Sequence, residues 1–515
     1  MPDVDALETA DTVAGILCRR PAVGLAVGVV RGGGSESFHV HGVADIRSRT
    51  PVTPETVFRV GSLTKTFTAV AVMQLWEQGR VDLDAPAQDY LRAYRLLPTD
   101  PAFRPVTPRH LMTHTAGIRE VLHPTGVLRP LFGETVPRGD RVPTLSEYYR
   151  RGVRVEADPG TRFRYTDHGF AALGQIVEDL TGEPLDRYLR ERVFAPLGMG
   201  DTSLVRSERI RHRLATGYVV RSGGPRALPD YDVVTAGAAA AYSTPADVAR
   251  YVEALLGGGA NAYGRVLQPA TLASMFAPHY QPDPRIPGLG LAFFRGTLGG
   301  HPVIEHQGIV PGFNSQILLA PRDDVGVVAF TNGSPGAVMW MPVETGELLR
   351  LLLGVGSDGV RTDVPQHPEV WADVCGWYSL PGPLTDVRAR GALGAGVEVV
   401  VRRGRLMLRS VSAIPDLYRG LPLLPDDPED PYVFRLQVPG EGFGLRVVFS
   451  QGPGGGTTAV HLDAMPLSAI RGSGVTDPRR WLRGAAAVAG LSLLGMTLRR
   501  PRRSSAAERD GPRTR

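Results

Sequence analysis

Two valine-rich apolar runs, residues 23–30 and 325–331, stand at opposite ends of a stretch whose middle, 81–281, carries helical spacing. Short apolar runs bounded by turn residues read as strands. A buried strand must pair, because its N–H and C=O groups cannot be left unmet. Partners for the early run can lie beyond the helical stretch. Gly32, Gly33 and Gly34 turn it back into 38–46 as a β-hairpin, and runs at 288–294, 301–306, 313–319 and 325–331 offer strands for that hairpin to join. Between them, 63–79 reads as a largely buried helix beginning at Ser62. Further helices follow at 170–181, 185–194 and 244–256, the last opened by Thr244-x-x-Asp247 as a capping box. A helix over 343–353 ends at Gly354. The expected fold class is α+β, an antiparallel sheet with helices on both faces and a helical lobe inserted between its strands.

Residues 356–368, rich in Gly, Asp and Pro, read as a linker that separates a domain over 1–355 from one over 369–470. The second shows short alternating runs at 397–402, 406–411, 432–438, 445–450 and 458–462, split by Gly/Pro turns, and these predict a small antiparallel barrel or sandwich. It holds no catalytic constellation and is expected to be dispensable for chemistry on a small substrate. Residues 471–515 form an apolar, then Arg-rich tail. Its uncharged stretch, 484–498, covers about 22 Å as a helix against a hydrocarbon core of about 30 Å, so the expectation for 481–503 is membrane contact rather than a span. The acidic stretch 1–12 lacks the basic region and apolar run of a secretory signal, which predicts a cytoplasmic chain as written. The seven arginines over 499–515 against Glu508 and Asp510 account for the whole net charge of +5. The body is thus neutral, with no electrostatic footprint for nucleic acid. Cys18 and Cys375 fit no metal or redox spacing and read as small buried residues.

Of 57 basic side chains only one is a lysine, and Lys65 follows Ser62 by three residues. Arginine is always protonated, whereas a lysine ammonium can lose its proton, so an amine retained at one position alone marks a role that arginine cannot fill. Residues at i and i+3 share a helix face with Cβ atoms about 5–6 Å apart, the spacing that a hydroxyl nucleophile and its activating amine require. Ser62 and Lys65 read as nucleophile and base. His110 and His114 stand four apart, but Leu111 occupies the place where a zinc protease has its glutamate, and neither a metal nor a cofactor is expected.

Ser62-x-x-Lys65, Tyr165-Thr166-Asp167 and His306-Gln307-Gly308 occur in that order. Together they resemble the S-x-x-K, Y-x-N and K-T-G or H-x-G motifs of the serine β-lactamase-related hydrolases, the superfamily of class C β-lactamases, DD-peptidases, D-aminopeptidases and carboxylesterases. Leu111-Met112-Thr113-His114-Thr115-Ala116-Gly117, Ala195-Pro196-Leu197-Gly198-Met199 and Pro311-Gly312-Phe313-Asn314 are similar to phrases that flank those motifs in relatives. The resemblance covers roughly 21–353 and implies a β-lactamase/DD-peptidase-like fold, with a lipocalin-like module as the C-terminal β domain.

The resemblance implies roles residue by residue. Ser62 would attack a carbonyl, Lys65 would hold or accept its proton, and Tyr165 would shuttle that proton to the leaving group, a task for a phenol flanked by cations. The N–H groups of Ser62 and Ile309 would bind the oxyanion, and Gly308 would let substrate approach the strand edge. His306 and Gln307 stand where a lysine and a threonine would grip a substrate carboxylate. Asp167 replaces an Asn, and an ionised Asp cannot donate a hydrogen bond to an amide carbonyl. The expected function is ester hydrolysis through an acyl-enzyme, with a small-molecule ester or peptide as partner. The alternatives are a D-amino-acid peptidase or weak β-lactamase, and a non-enzymatic β-lactam-binding sensor.

Overall fold

The structure is a computed structural model that describes residues 11–16, 20, 22–32, 34–122, 134–334, 336–356, 361, 363–382, 393–410, 415–437, 444–463 and 465–472. Strands β1 (Gly24–Arg31), β2 (Ser35–Asp45) and β3 (Thr50–Pro51) open the chain. After the lobe come β4 (Phe294–Leu298), β5 (His301–Val310), β6 (Phe313–Ala320) and β7 (Val325–Thr331). They form one antiparallel sheet in the order β4-β5-β6-β7-β1-β2-β3. The hairpin meets the late strands at its centre, where Val27 faces Ala329 and Gly28 faces Val328.

Both faces of this sheet are covered, which is why β1 reads as a continuous apolar run rather than an alternating one. Ala26, Val30, Val328 and Phe330 belong to one core, with helices α1 (Thr64–Glu77), α2 (Asp167–Thr181) and α3 (Pro245–Leu256). Leu25, Val27, Val29 and Val327 belong to another, beneath α4 (Ala337–Leu353). Helix α1 is buried on every side from Thr64 to Leu75, so it has no solvated stripe.

Three sequence expectations need correction. No strand covers 288–294: Gly288 and Ala292 hold positive φ (74° and 65°), and the N–H groups of Leu291 and Ala292 turn to Met275 O and Met112 O in the lobe, so the strand starts only at Phe294. Helix α4 starts at Ala337, six residues before the predicted start, and carries Pro342 in its interior. An interior proline forfeits one helical hydrogen bond, but Ala337, Trp340 and Met341 bury against the sheet and hold the first turns in place. The Thr244 box is half formed: Thr244 Oγ1 accepts from Asp247 N (3.0 Å), while the Asp247 carboxylate turns to Asp201 N (2.7 Å) and Thr202 Oγ1 (2.8 Å).

The C-terminal strands form a closed barrel of eight consecutive antiparallel strands, from Gly376–Ser379 to Ser468–Arg471, which pair with each other to close it. Five of the eight match the predicted runs, for example Gly396–Arg402 and Arg405–Ser410, whose alternate residues Val397, Val399, Leu406 and Leu408 fill the interior. The barrel docks on the lobe through a mixed contact. Ile286 packs with Val433 and Val448, and Arg285 bridges Asp283 and Asp430 (2.8 Å each) and donates to Phe449 O (2.9 Å). Cys375 is half-buried rather than buried, and Cys18 lies outside the described residues. No helix among the described residues is long and apolar enough to cross a membrane. The 481–503 segment lies outside them.

Candidate active site

Ser62 sits in a single 3-10 turn, Gly61–Leu63, that leads directly into α1. Gly61 holds φ +53°, and a Cβ there would come within 2.9 Å of Ile309 N, so the Ser62 segment presses against β5. The turn is pinned from both sides. Val60 O accepts from Ser315 Oγ (2.8 Å), and Thr64 Oγ1 donates to Gly61 O (2.6 Å) while accepting from Ala241 N (3.1 Å).

The structure brings the motif residues together around Lys65, which is wholly buried. Lys65 Nζ donates to Ser62 Oγ (2.8 Å), Asp167 Oδ1 (2.5 Å) and Ala238 O (3.1 Å). Three donated bonds use all three protons of an ammonium, whereas a neutral amine has only two. Asp167 opens α2 just after the N-cap Thr166, where the helix dipole favours its negative charge. It is 3% exposed and turned to Lys65. The half-buried Tyr165 lies one residue further back, its ring centroid 4.9 Å from Lys65 Nζ.

The third motif differs from its expected layout. His306 is 1% exposed, and its Nδ1 donates to Gln307 O (2.9 Å). Burial, followed by the nearby Lys65 charge, lowers its pKa to about 3, so the ring is neutral near pH 7 with Nε2 as a bare acceptor. Gln307 points to the opposite face of the sheet and donates to Val338 O (3.1 Å). It therefore does not stand in for a cleft threonine. A Cβ on Gly308 would meet Val60 O at 2.0 Å and Ser315 Oγ at 2.3 Å, so the close approach of the segment before Ser62 already requires the glycine.

Glu305, next to His306, titrates in the opposite direction. Burial first, and then Asp463 of the barrel, raise its pKa from 4.5 to about 7, against the lowering effect of a Gln316 hydrogen bond. A raised carboxyl pKa means that the folded protein holds this proton more tightly than the unfolded chain. The resulting stability is complete below about pH 4.5 and is lost as pH rises through 7. Glu305→Gln, neutral at every pH, should therefore flatten the fall in thermal midpoint between pH 5.5 and pH 8. An unchanged slope would refute the assignment.

Several buried groups around the site lie outside the three motifs. His168 Nδ1 lies 2.8 Å from Tyr149 Oη and its Nε2 3.3 Å from Glu134 Oε1, while Thr235 donates to Glu134 Oε2 (2.7 Å). His114 stacks on Tyr165. Beyond Tyr165 opens a cavity of about 480 Å³. Phe163 and Tyr280 line it from the lobe, and Leu380, Met465 and Leu467 from the barrel, with Arg162 also in its wall.

The profile of the Beta-lactamase family matches residues 10–344. Among curated proteins the chain is similar to penicillin-binding protein 4 of Amycolatopsis lactamdurans, 31% identical over 338 residues that cover 62% of this chain and 81% of that protein. It is also similar to esterase EstB of Burkholderia gladioli, 33% identical over 195 residues, 37% of this chain and 50% of that one. Among solved structures, the octameric penicillin-binding protein homologue from Pyrococcus abyssi aligns with a TM-score of 0.58 at 23% identity. That alignment covers 91% of this chain and 100% of the other, a likeness of fold that includes the barrel.

Proposed function

The chain belongs to the Beta-lactamase family and is a serine hydrolase, and from that premise we propose that it cleaves esters through an acyl-enzyme on Ser62. The observation that carries this reading is the buried, neutral His306 where a lysine would bind a carboxylate. The site's own cation, Lys65, is already engaged by Asp167 at 2.5 Å, and that carboxylate has no proton to donate to a substrate amide. Anionic β-lactams and peptide amides lose their usual grips. Esters, with better leaving groups, need them least.

The proposed steps begin at Ser62 and use the groups around it. Ser62 Oγ attacks the ester carbonyl. Lys65, as an ammonium, holds the serine oxygen and stabilises charge building on it. The Tyr165 hydroxyl relays the serine proton to the departing alkoxide as the C–O bond breaks, and water then releases the acid by the reverse relay. The N–H groups of Ser62 and Ile309 bind the oxyanion, each such donor being worth about 10²–10³ in rate. The cavity of about 480 Å³ beside Tyr165, with its Phe163, Leu380, Met465 and Leu467 walls, suits an apolar acyl or alcohol group.

The test uses a nitrophenyl ester, the matching nitroanilide and a chromogenic β-lactam with the full-length protein. The ester should turn over steadily, and at least about a hundredfold faster than either of the others. Comparable amide or β-lactam turnover would favour a peptidase or lactamase instead, and release of a single equivalent without turnover would favour a sensor.

A further inference from the structure

His114 is buried, and its backbone holds φ +54°, a left-handed conformation that a non-glycine residue keeps only where its surroundings impose it. Strain of this kind points from geometry to a role. Here the surroundings are three successive residues, Arg164, Tyr165 and Thr166, which overlap the second motif. His114 O accepts from Arg164 N (2.7 Å), the imidazole stacks on the Tyr165 ring with centroids 4.2 Å apart and planes 25° from parallel, and Nδ1 lies 3.3 Å from Thr166 N. A backbone N–H can only donate, so Nδ1 carries no proton and the ring proton sits on Nε2. Phe170 packs against the same imidazole at 5.2 Å and Phe163 at 5.9 Å. The loop bearing His114 is tied down in turn, through Thr115 N to His110 O (2.9 Å), Gly160 N to Thr115 O (2.8 Å) and Glu156 N to Gly117 O (2.8 Å).

We propose that His114 is the positioning residue for Tyr165, fixing the plane of the phenol by stacking on it and fixing the backbone on either side of it by two hydrogen bonds. Tyr165 follows a loop and precedes the N-cap of α2, so no helix or strand holds it. Lys65 Nζ approaches its ring, and the hydroxyl must meet both Ser62 Oγ and the leaving oxygen during one turnover. A shift of about 1 Å in a catalytic group can cost about a hundredfold in rate. The strained backbone at position 114 is what brings the imidazole to that ring. This inference rests on the proposed relay role of Tyr165.

The experiment is a double-mutant cycle in the full-length protein with a small ester. His114→Asn keeps an acceptor and tolerates positive φ but removes the ring; His114→Phe keeps a ring and removes the nitrogen. His114→Asn should lower kcat by about 10- to 100-fold with KM changed less than about twofold. In a Tyr165→Phe background the same substitution should cost less than about threefold, because a positioning residue has nothing left to position. Equal losses in both backgrounds, or no loss in either, overturn the proposal. If Tyr165→Phe itself retains its rate, the relay assignment fails instead, and the two failures are distinguishable. Folding is followed by circular dichroism. If His114→Asn does not fold, His114→Phe takes its place in the cycle, and failure of both to fold would make His114 a structural residue and overturn the assignment.

Discussion

Ser62→Ala and Lys65→Arg should each abolish hydrolysis of an activated ester, by about 10⁴-fold or more, and the double variant should be scarcely worse than either alone. The reason is the geometry at one nitrogen. Lys65 Nζ meets Ser62 Oγ, Asp167 Oδ1 and Ala238 O within 3.1 Å, in a space with no exposure to solvent. A planar guanidinium spreads its donors along a fork and cannot place one nitrogen at the meeting point of three acceptors. Groups that act as one unit are non-additive, so removing the second after the first costs little. Steady-state rates for the four proteins, with thermal unfolding to confirm that each is folded, decide the matter. Substantial turnover in Lys65→Arg would show that neither the amine's position nor its chemistry is needed.

Asp167→Asn should have the next largest effect, and on three observables at once. Removing the charge leaves a buried ammonium unpaired, and breaking such a pair costs about 3–5 kcal/mol unless the lysine sheds its proton. Stability should therefore drop most at low pH, where the lysine stays charged, and recover as pH rises. With the carboxylate present Lys65 stays an ammonium and the relay rests on Tyr165; without it the amine can shed its proton and accept the serine proton itself, so the alkaline-activating limb of the rate profile should move to lower pH. An Asn amide can also donate to a substrate carbonyl, so amide turnover should improve relative to ester turnover. The measurements are denaturant unfolding at pH 6 and pH 9 and rate profiles on a matched ester and amide. If all three are unmoved, the contact at 2.5 Å is energetically silent and the ester reading loses its electrostatic basis.

The family, the α+β class and the three motifs were legible because each is a local pattern. Valine runs, glycine turns and a lone lysine at i+3 from a serine can all be read within a few residues. The barrel was half legible. Its strands Gly396–Arg402 and Arg405–Ser410 alternate cleanly, whereas Leu421–Pro425 is interrupted by prolines, and Gly376–Ser379 and Ser468–Arg471 are too short to show a period. Closure depends on Tyr378 meeting Arg471, a pairing of residues from the first and last strands with no short-range signature.

By itself the sequence determined that Ser62 and Lys65 share one turn of chain, that Tyr165 and Asp167 travel together, and that the early hairpin has candidate partners late in the chain. Only the tertiary structure decided what those groups became. It placed the Asp167 carboxylate on Lys65, 102 positions away in the chain, and so brought together opposite charges that the motif spacing leaves unpaired. It buried His306 until the ring could not hold a second proton, because desolvation depends on what covers a residue and not on its neighbours in sequence. It set His114 against Tyr165 and barrel residues Met465 and Leu467 in the cavity beyond, contacts that exist only once distant segments pack. Residue identity supplies the chemical groups, whereas their charge state, orientation and access are properties of the folded environment, which local patterns do not encode.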